Sequence, residues 1–191
     1  EVLLDTWNIK GHDALNPKEA VPQLAYIAFE LMQQGKQTAT EKELLDLLET
    51  ARQKVPQIKR YAKDTPYEFL KRVELRSSLL LEAGHVIENG FTVPFYQFRH
   101  LTFQEYLSAK AITDGHYAKY KNKSSILAPL ASKLEFEEWK EVIPMAAVLS
   151  GKQAEPLISA LVKEANILRA NIENEISFPG EKQWLTYPYA L

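Results

Sequence analysis

The chain has 191 residues, of which 46% are hydrophobic and 25% charged, with no cysteine and a formal net charge of −2. This charge argues against a dedicated nucleic-acid binder, and the lack of cysteine excludes a disulfide framework and a thiolate metal site. Because no apolar run reaches about 18 residues and no signal peptide is evident, the sequence predicts a cytoplasmic protein without a membrane span.

The first predicted helix begins at Asn16-Pro17 and runs to Gly35, with apolar residues at a spacing of three to four. Residues 1–16 precede it and open with Glu1 rather than methionine. The apolar run at 2–7 resembles the closing turns of a helix. We therefore expect residues 1–16 to be the end of a preceding helical domain.

Two further helices are predicted from capping boxes. Thr40 with Glu43 starts the second helix, and Thr65-Pro66 with Glu68 starts the third. Residues 51–63 between them are basic and interrupted by a proline. This pattern is typical of a connector.

A β-hairpin is predicted after the third helix, because Asn89-Gly90 is a strong signal for a two-residue turn. Counting outward from that turn places Glu82 opposite Gln97. Pro94 lacks a backbone N–H and favours an edge position for the returning strand. The hairpin would form the wing of a winged-helix domain.

Thr102 and Glu105 match another capping box, which predicts that a helix follows the wing. Three helices, a hairpin and a helix are the winged-helix plan, so we predict a mainly α winged-helix domain over residues 17–115. The apolar side chains at the junction of strand and helix are predicted to be core; they are Phe98, Phe103, Tyr106 and Leu107.

Beyond the wing, residues 116–170 contain short segments that are each apolar on one face. This pattern predicts a short helical array, the start of a superhelical domain. Residues 171–191 hold aromatic residues among prolines, too aromatic for free disorder and too broken for a helix. We expect this aromatic tail to pack back on the chain or to contact a neighbour.

The sequence contains no candidate catalytic or metal centre. It lacks a glycine-rich phosphate loop followed by Lys-Ser or Lys-Thr. Its four histidines, at positions 12, 85, 100 and 116, do not have the spacing of metal ligands. The chain alone is therefore predicted not to be an enzyme.

Two alternatives from other functional classes remain open. Basic residues in two segments keep a DNA-binding winged helix open as an alternative, although a solvated lysine face is the favoured explanation of them. These residues are Lys71, Arg72 and Arg76 in the third helix, and Lys110, Lys119, Lys121 and Lys123, which alternate with Tyr117 and Tyr120. A helical adaptor whose partner docks on the aromatic tail is the other alternative.

One stretch carries a family resemblance. Residues 96–111 read YQFRHLTFQEYLSAKA. They resemble the signature Phe-x-His-Leu-Thr/Ser-Phe-x-Glu-Tyr/Phe-Leu-Ala-Ala that closes the winged-helix domain of NACHT-type signalling ATPases of the STAND class. This class includes bacterial defence proteins and animal NOD-like receptors. The resemblance extends over roughly residues 1–165, and the Walker motifs of the family are not in this sequence.

The resemblance implies a regulatory segment of a nucleotide switch that acts in bacterial antiphage signalling. It implies that His100 contacts the β-phosphate of ADP in the resting state; a histidine satisfied within the junction of wing and helix is the alternative. The intact protein would bind ADP or ATP with Mg²⁺, and the segment alone would bind no cofactor. The implied partners are an upstream NACHT ATPase module, a downstream sensor domain and further copies of the intact protein.

Overall fold

The computed structural model describes residues 15–117 and 126–176. The predicted end of a preceding domain therefore lies almost entirely outside the described residues, as do residues 177–191 of the aromatic tail. The elements up to residue 114 are α1 (Pro17–Gln33), β1 (Thr38–Thr40), α2 (Glu41–Lys54), α3 (Pro56–Tyr61), α4 (Pro66–Ser77), β2 (Leu80–Glu88), β3 (Phe91–Phe98) and α5 (Leu101–Asp114). They are followed by α6 (Leu127–Leu130), α7 (Val142–Ser150) and α8 (Glu155–Ile176), with 3₁₀ turns at Glu137–Trp139 and Gly151–Ala154.

The predicted starts of the first three helices are confirmed by their caps. The Asn16 side chain accepts a hydrogen bond from the backbone N–H of Lys18 over 3.0 Å. Thr40 forms a reciprocal capping box with Glu43 ahead of α2. Thr65 and Glu68 form the same arrangement ahead of α4. Short-range side-chain chemistry therefore sets where these helices begin.

The predicted connector at 51–63 is wrong. Helix α2 continues to Lys54, and α3 begins at Pro56 after a break at Val55. A proline ends one helix and is also well suited to the first position of the next, because its missing N–H would be unpaired there anyway. Val55 and Ile58 are buried against Tyr26 of α1, and this contact gives α3 its place in the fold.

The sheet has three antiparallel strands in the order β1-β3-β2. Strand β1 was not predicted, because three residues are too few to form a recognisable alternating pattern. It pairs with Phe95–Gln97 and makes β3 the central strand, so the predicted edge position of the returning strand is wrong. Pro94 is nevertheless tolerated, since it lies just beyond the residues that pair with β1 and faces His85 of β2.

The turn at Asn89-Gly90 is confirmed, and both residues have the positive φ that such a turn requires, 50° and 82°. The predicted pairing of Glu82 with Gln97 is wrong, because Glu82 faces Tyr96. An irregularity between Glu82 and Gly84 shifts the register. Gly84 has a φ of 148°, and a Cβ there would lie 3.0 Å from the Phe95 ring.

One hydrophobic core joins the winged-helix plan to the helices that follow it. Helix α1 lies at its centre and buries side chains around most of its circumference. The ring centroid of Phe29 lies 5.6 Å from that of Tyr117 and 6.2 Å from that of Trp139. Helix α8 continues past the predicted boundary at 171 as far as Ile176. The domain boundaries at 17–115 and 116–170 stay predictions.

Within the two described ranges, no helix combines the length and the apolar composition needed to cross a bilayer.

Candidate functional site

His100 lies where strand β3 gives way to helix α5, and its side chain is exposed. Its backbone is extended, with φ −134° and ψ 141°, and it occupies the N-cap position of α5. The His100 carbonyl accepts a hydrogen bond from the N–H of Phe103 over 3.0 Å. The two rings are 5.3 Å apart at an angle of 60°, so the imidazole rests against the phenyl ring and faces outward.

The predicted capping box of Thr102 and Glu105 does not form. Helix α5 begins two residues earlier than that box predicts, at Leu101 rather than Phe103, and no side-chain cap is formed at its N-terminus. The N–H groups of the first helical turn therefore lack a side-chain acceptor, and the helix dipole adds a partial positive charge at the same point. This end of α5 is suited to an anion that approaches beside His100.

The residue before His100 adds to the positive character of this surface. Arg99 is exposed, and its backbone N–H donates to the carbonyl of Leu79 over 2.9 Å. This bond ties the end of β3 to the start of β2, which limits how far the backbone next to His100 can move. We define the junction site as Arg99, His100 and the N-terminal turn of α5.

The predicted core residues around the junction divide into two groups. Phe98 and Leu107 are buried, with 4% and 6% of their surface exposed. Phe103 is partly buried, and Tyr106 is 42% exposed, so the prediction that Tyr106 belongs to the core is wrong. Phe103, Tyr106 and Leu107 line a cavity of about 380 Å³ between α5 and the start of α1. Phe103 is thus shared between the junction site and this cavity, which Lys18, Lys110, Asp114 and His116 also line.

Glu105 has a different role from the predicted cap. Only 9% of its surface is exposed. Burial, and then the nearby carboxylate of Glu141, raise the pKa of Glu105 above its usual range. Glu105 therefore contributes an unfavourable buried charge where α5 faces the chain just before α7.

Replacing Glu105 with glutamine should stabilise the chain at neutral pH. A carboxyl group with a raised folded-state pKa holds its proton more tightly in the folded chain, so its ionisation destabilises the fold as the pH rises above the ordinary value of 4.5. The gain should therefore vanish below that pH. Urea unfolding at pH 7 and pH 4 measures this effect, and the same substitution at the exposed Glu138 is the control. A loss of stability at pH 7 would contradict the assignment.

Helix α4 carries the cations that motivated the DNA-binding alternative, and two of them are engaged within the fold. The Lys71 ammonium donates to the Tyr96 hydroxyl over 2.6 Å. It also lies 3.4–4.0 Å from three carboxylates; these belong to Glu41, Glu74 and Glu82. The hydrogen bond from Lys71 to Tyr96 raises the pKa of Lys71. This lysine holds α2, α4 and the wing together.

Arg72 is also neutralised, since it lies 3.0 Å from Glu19 and 2.7 Å from Asp64.

The second basic segment of the DNA-binding alternative is described only in part. Tyr117, one of its two tyrosines, is fully buried. The lysines at 119, 121 and 123 and Tyr120 lie outside the described residues. Of the cations in question, Lys110 pairs with Asp114 over 2.9 Å. The carboxylate contacts of Lys71 and Arg72 argue against an interface on α4 with the phosphate backbone of DNA.

Sequence reasoning missed a buried polar network beneath α4. Glu19 accepts a hydrogen bond from the backbone N–H of Lys63 over 3.2 Å and pairs with Arg72. Arg52 donates to the Gln23 side chain over 2.9 Å and to the Asp64 carbonyl. The available signal was a glutamate and a glutamine, four residues apart, on the side of the first predicted helix opposite its predicted apolar face.

No group of three or more histidine, aspartate or glutamate side chains in residues 15–117 and 126–176 is arranged to hold a metal ion.

The comparisons with known proteins agree with this architecture. Residues 1–112 match the model of a family described as a winged helix-turn-helix domain C-terminal to NACHT. No curated protein and no solved structure matches the chain significantly. The match covers more than half of the chain and includes the wing and most of α5. The observed sheet order and the helices that precede the wing fit this fold. The chain therefore belongs to the family of winged helix-turn-helix domains that lie C-terminal to NACHT domains.

Proposed function

We propose that this chain is the regulatory winged-helix segment of a NACHT-type nucleotide-switch ATPase, and that His100 contacts the β-phosphate of bound ADP in the resting state. The observation that carries the proposal is the exposure of His100 at the uncapped N-terminus of α5. A histidine that served only the local core would be buried. This one is exposed at a helix N-terminus that no side chain caps.

The chemistry of the junction site suits a phosphate. An imidazole can donate a hydrogen bond to a phosphate oxygen, and a helix N-terminus favours negative charge. Arg99 adds a positive charge next to His100. In the intact protein, an upstream NACHT module would hold the nucleotide with Mg²⁺, and this chain would supply a contact to it. The chain itself would not catalyse hydrolysis.

A contact of this kind can act as a switch. Bound ADP that touches both the NACHT module and this segment favours the closed arrangement of the protein. It does so only to the extent that ADP binds the closed arrangement more tightly than the open one. Exchange for ATP would weaken the contact at His100 and favour an open arrangement. We further propose that opening responds to a downstream sensor domain and permits assembly of several copies, in bacterial antiphage signalling.

Replacing His100 with alanine should speed the release of ADP from a protein that contains both the NACHT module and this chain. A hydrogen bond to a charged group contributes about 1.5–3 kcal/mol, so we expect release roughly 10- to 100-fold faster. Displacement of a fluorescent ADP analogue by excess ADP measures the rate. Spontaneous signalling without the trigger should rise in parallel.

The matched control is His85→Ala, since His85 is also exposed but lies on the wing, 3.6 Å from Glu82. It should release ADP at the rate of the unsubstituted protein. His100→Gln keeps a hydrogen-bond donor and should be intermediate. Unchanged ADP release and unchanged basal signalling in His100→Ala would disprove the proposed contact.

A further inference from the structure

The cavity between the start of α1 and one face of α5 has the size of a small-molecule site. Its volume is about 380 Å³. This equals the volume of about 13 water molecules in the liquid, at about 30 Å³ each. Sites of about 300–1,000 Å³ with mostly apolar walls and a few polar groups commonly bind small molecules. The wall of this cavity therefore indicates what kind of molecule would fit.

Most of that wall is apolar. Val21 of α1, Leu79 just ahead of β2 and Leu107 of α5 are among its aliphatic members. Two aromatic side chains, Phe103 and Tyr106, lie three residues apart on α5, a spacing that places them on the same helix face. The cavity opens to solvent, since Tyr106 is 42% exposed. Rings in such a wall favour a flat aromatic ligand, because offset-stacked and edge-on ring pairs are preferred contacts.

The charged side chains of the wall leave one cation unmatched. Lys110 pairs with Asp114 over 2.9 Å, so these two charges offset each other. No carboxylate of the described residues lies within 4.0 Å of the Lys18 ammonium. His116, also in the wall, is 4% exposed, and its Nε2 lies 2.6 Å from the side-chain oxygen of Gln57. Lys18 therefore offers a positive charge to an anionic group on an otherwise apolar ligand.

We propose that this cavity binds a small aromatic carboxylate, whose rings pack against Phe103 and Tyr106 and whose carboxylate meets Lys18. The apolar wall accounts for the rings, and the unmatched ammonium accounts for the anionic group. A molecule of two fused rings and one carboxylate has about 13 non-hydrogen atoms, which fit within the cavity volume. The Phe103 ring also lies 5.3 Å from that of His100. An occupant would therefore touch the ring on which His100 rests.

Titration of the 191-residue chain with 2-naphthoate tests this proposal. Calorimetry should show one saturable site with a dissociation constant below about 1 mM. The neutral analogue 2-naphthamide has the same rings and should bind about fivefold more weakly, the effect of one exposed ion pair. Lack of saturable binding, or equal affinity for the two probes, would overturn the proposal. Neither titration involves ADP, so the result is independent of the proposed His100 contact.

A substitution at Lys18 isolates the charge contact. Lys18→Gln should weaken the binding of 2-naphthoate to the level of 2-naphthamide and leave the binding of 2-naphthamide unchanged. The matched control is Lys42→Gln, because Lys42 is exposed at the second position of α2 as Lys18 is at the second position of α1. The control should keep the preference for 2-naphthoate. Loss of the preference in both variants would contradict a contact at Lys18.

Two measurements establish where the probe binds. Val21→Phe places a larger side chain in the cavity wall and should abolish the binding of both probes, with circular dichroism to check that the variant is folded. In the unsubstituted chain, 2-naphthoate should shift the amide NMR signals of Val21, Phe103 and Leu107 most. Helix α8 also carries exposed apolar side chains. If the largest shifts fell on α8, the cavity would not be the binding site.

Discussion

Replacing Glu19 with alanine should lower the free energy of unfolding by about 3–5 kcal/mol, the usual cost of removing one partner of a buried ion pair. The Glu19 side chain is only 1% exposed and lies 3.0 Å from the guanidinium of Arg72. It also accepts a hydrogen bond from the backbone of Lys63. Its loss would leave Arg72, itself only 22% exposed, with Asp64 as its remaining carboxylate partner.

The effect should spread beyond this pair, because the network joins three helices. Glu19 belongs to α1, Arg72 to α4, and Arg52 of α2 donates to Gln23 one turn along from Glu19. The guanidinium groups of Arg52 and Arg72 also lie 5.8 Å and 6.0 Å from the Phe69 ring centroid. Removing the carboxylate therefore weakens the packing of α1, α2 and α4 around that ring.

Urea unfolding followed by circular dichroism measures this loss. The matched control is Glu137→Ala, which removes an equal charge from an exposed pair with Lys140. It should leave the midpoint almost unchanged, because exposed ion pairs contribute little. A small change for Glu19→Ala would mean that the network contributes no net stability.

Replacing Phe29 with alanine should cost about 3–5 kcal/mol, as expected for a large aromatic side chain removed from a packed core. Phe29 is fully buried in α1. Its ring contacts Tyr117, just beyond α5, and meets Trp139 edge-on at 80°. The cavity left by the ring would therefore lie where the winged-helix core meets the helices that follow it.

This position also tests whether the two regions unfold together. With Trp7 and Trp184 replaced by phenylalanine, Trp139 fluorescence reports on the later helices and circular dichroism on the whole chain. Both signals should shift to the same lower midpoint in the Phe29→Ala chain. Phe91→Ala, at an exposed position on the wing, should shift neither. Separate transitions for the two signals would show that the regions are independent.

The predicted elements that the structure confirms are those encoded by neighbouring residues. Thr40 with Glu43 and Thr65 with Glu68 each form their cap within four residues of chain, so the pattern is sufficient. The turn at Asn89-Gly90 is equally local. The position of His100 between a strand and a helix also follows from the local pattern.

The predictions that failed depend on distant contacts. Thr102 and Glu105 have the spacing of a capping box, yet α5 starts at Leu101, because the chain leaves β3 at His100 while Arg99 remains bonded to Leu79. Strand β1 is a strand only because the distant β3 pairs with it. Neither outcome can be read from neighbouring residues.

The sequence by itself determined the order of α1, α2, α4, wing and α5, the caps that start the first three of these helices, and the resemblance that placed His100 at the end of the wing. Only the tertiary structure decided that His100 is exposed, that Lys71 and Arg72 are paired with carboxylates, and that Glu19 is buried. Caps and turns depend on atoms a few residues apart, whereas exposure and charge pairing depend on which distant elements pack together. Whether a charged side chain is free to meet a ligand is therefore a property of the fold.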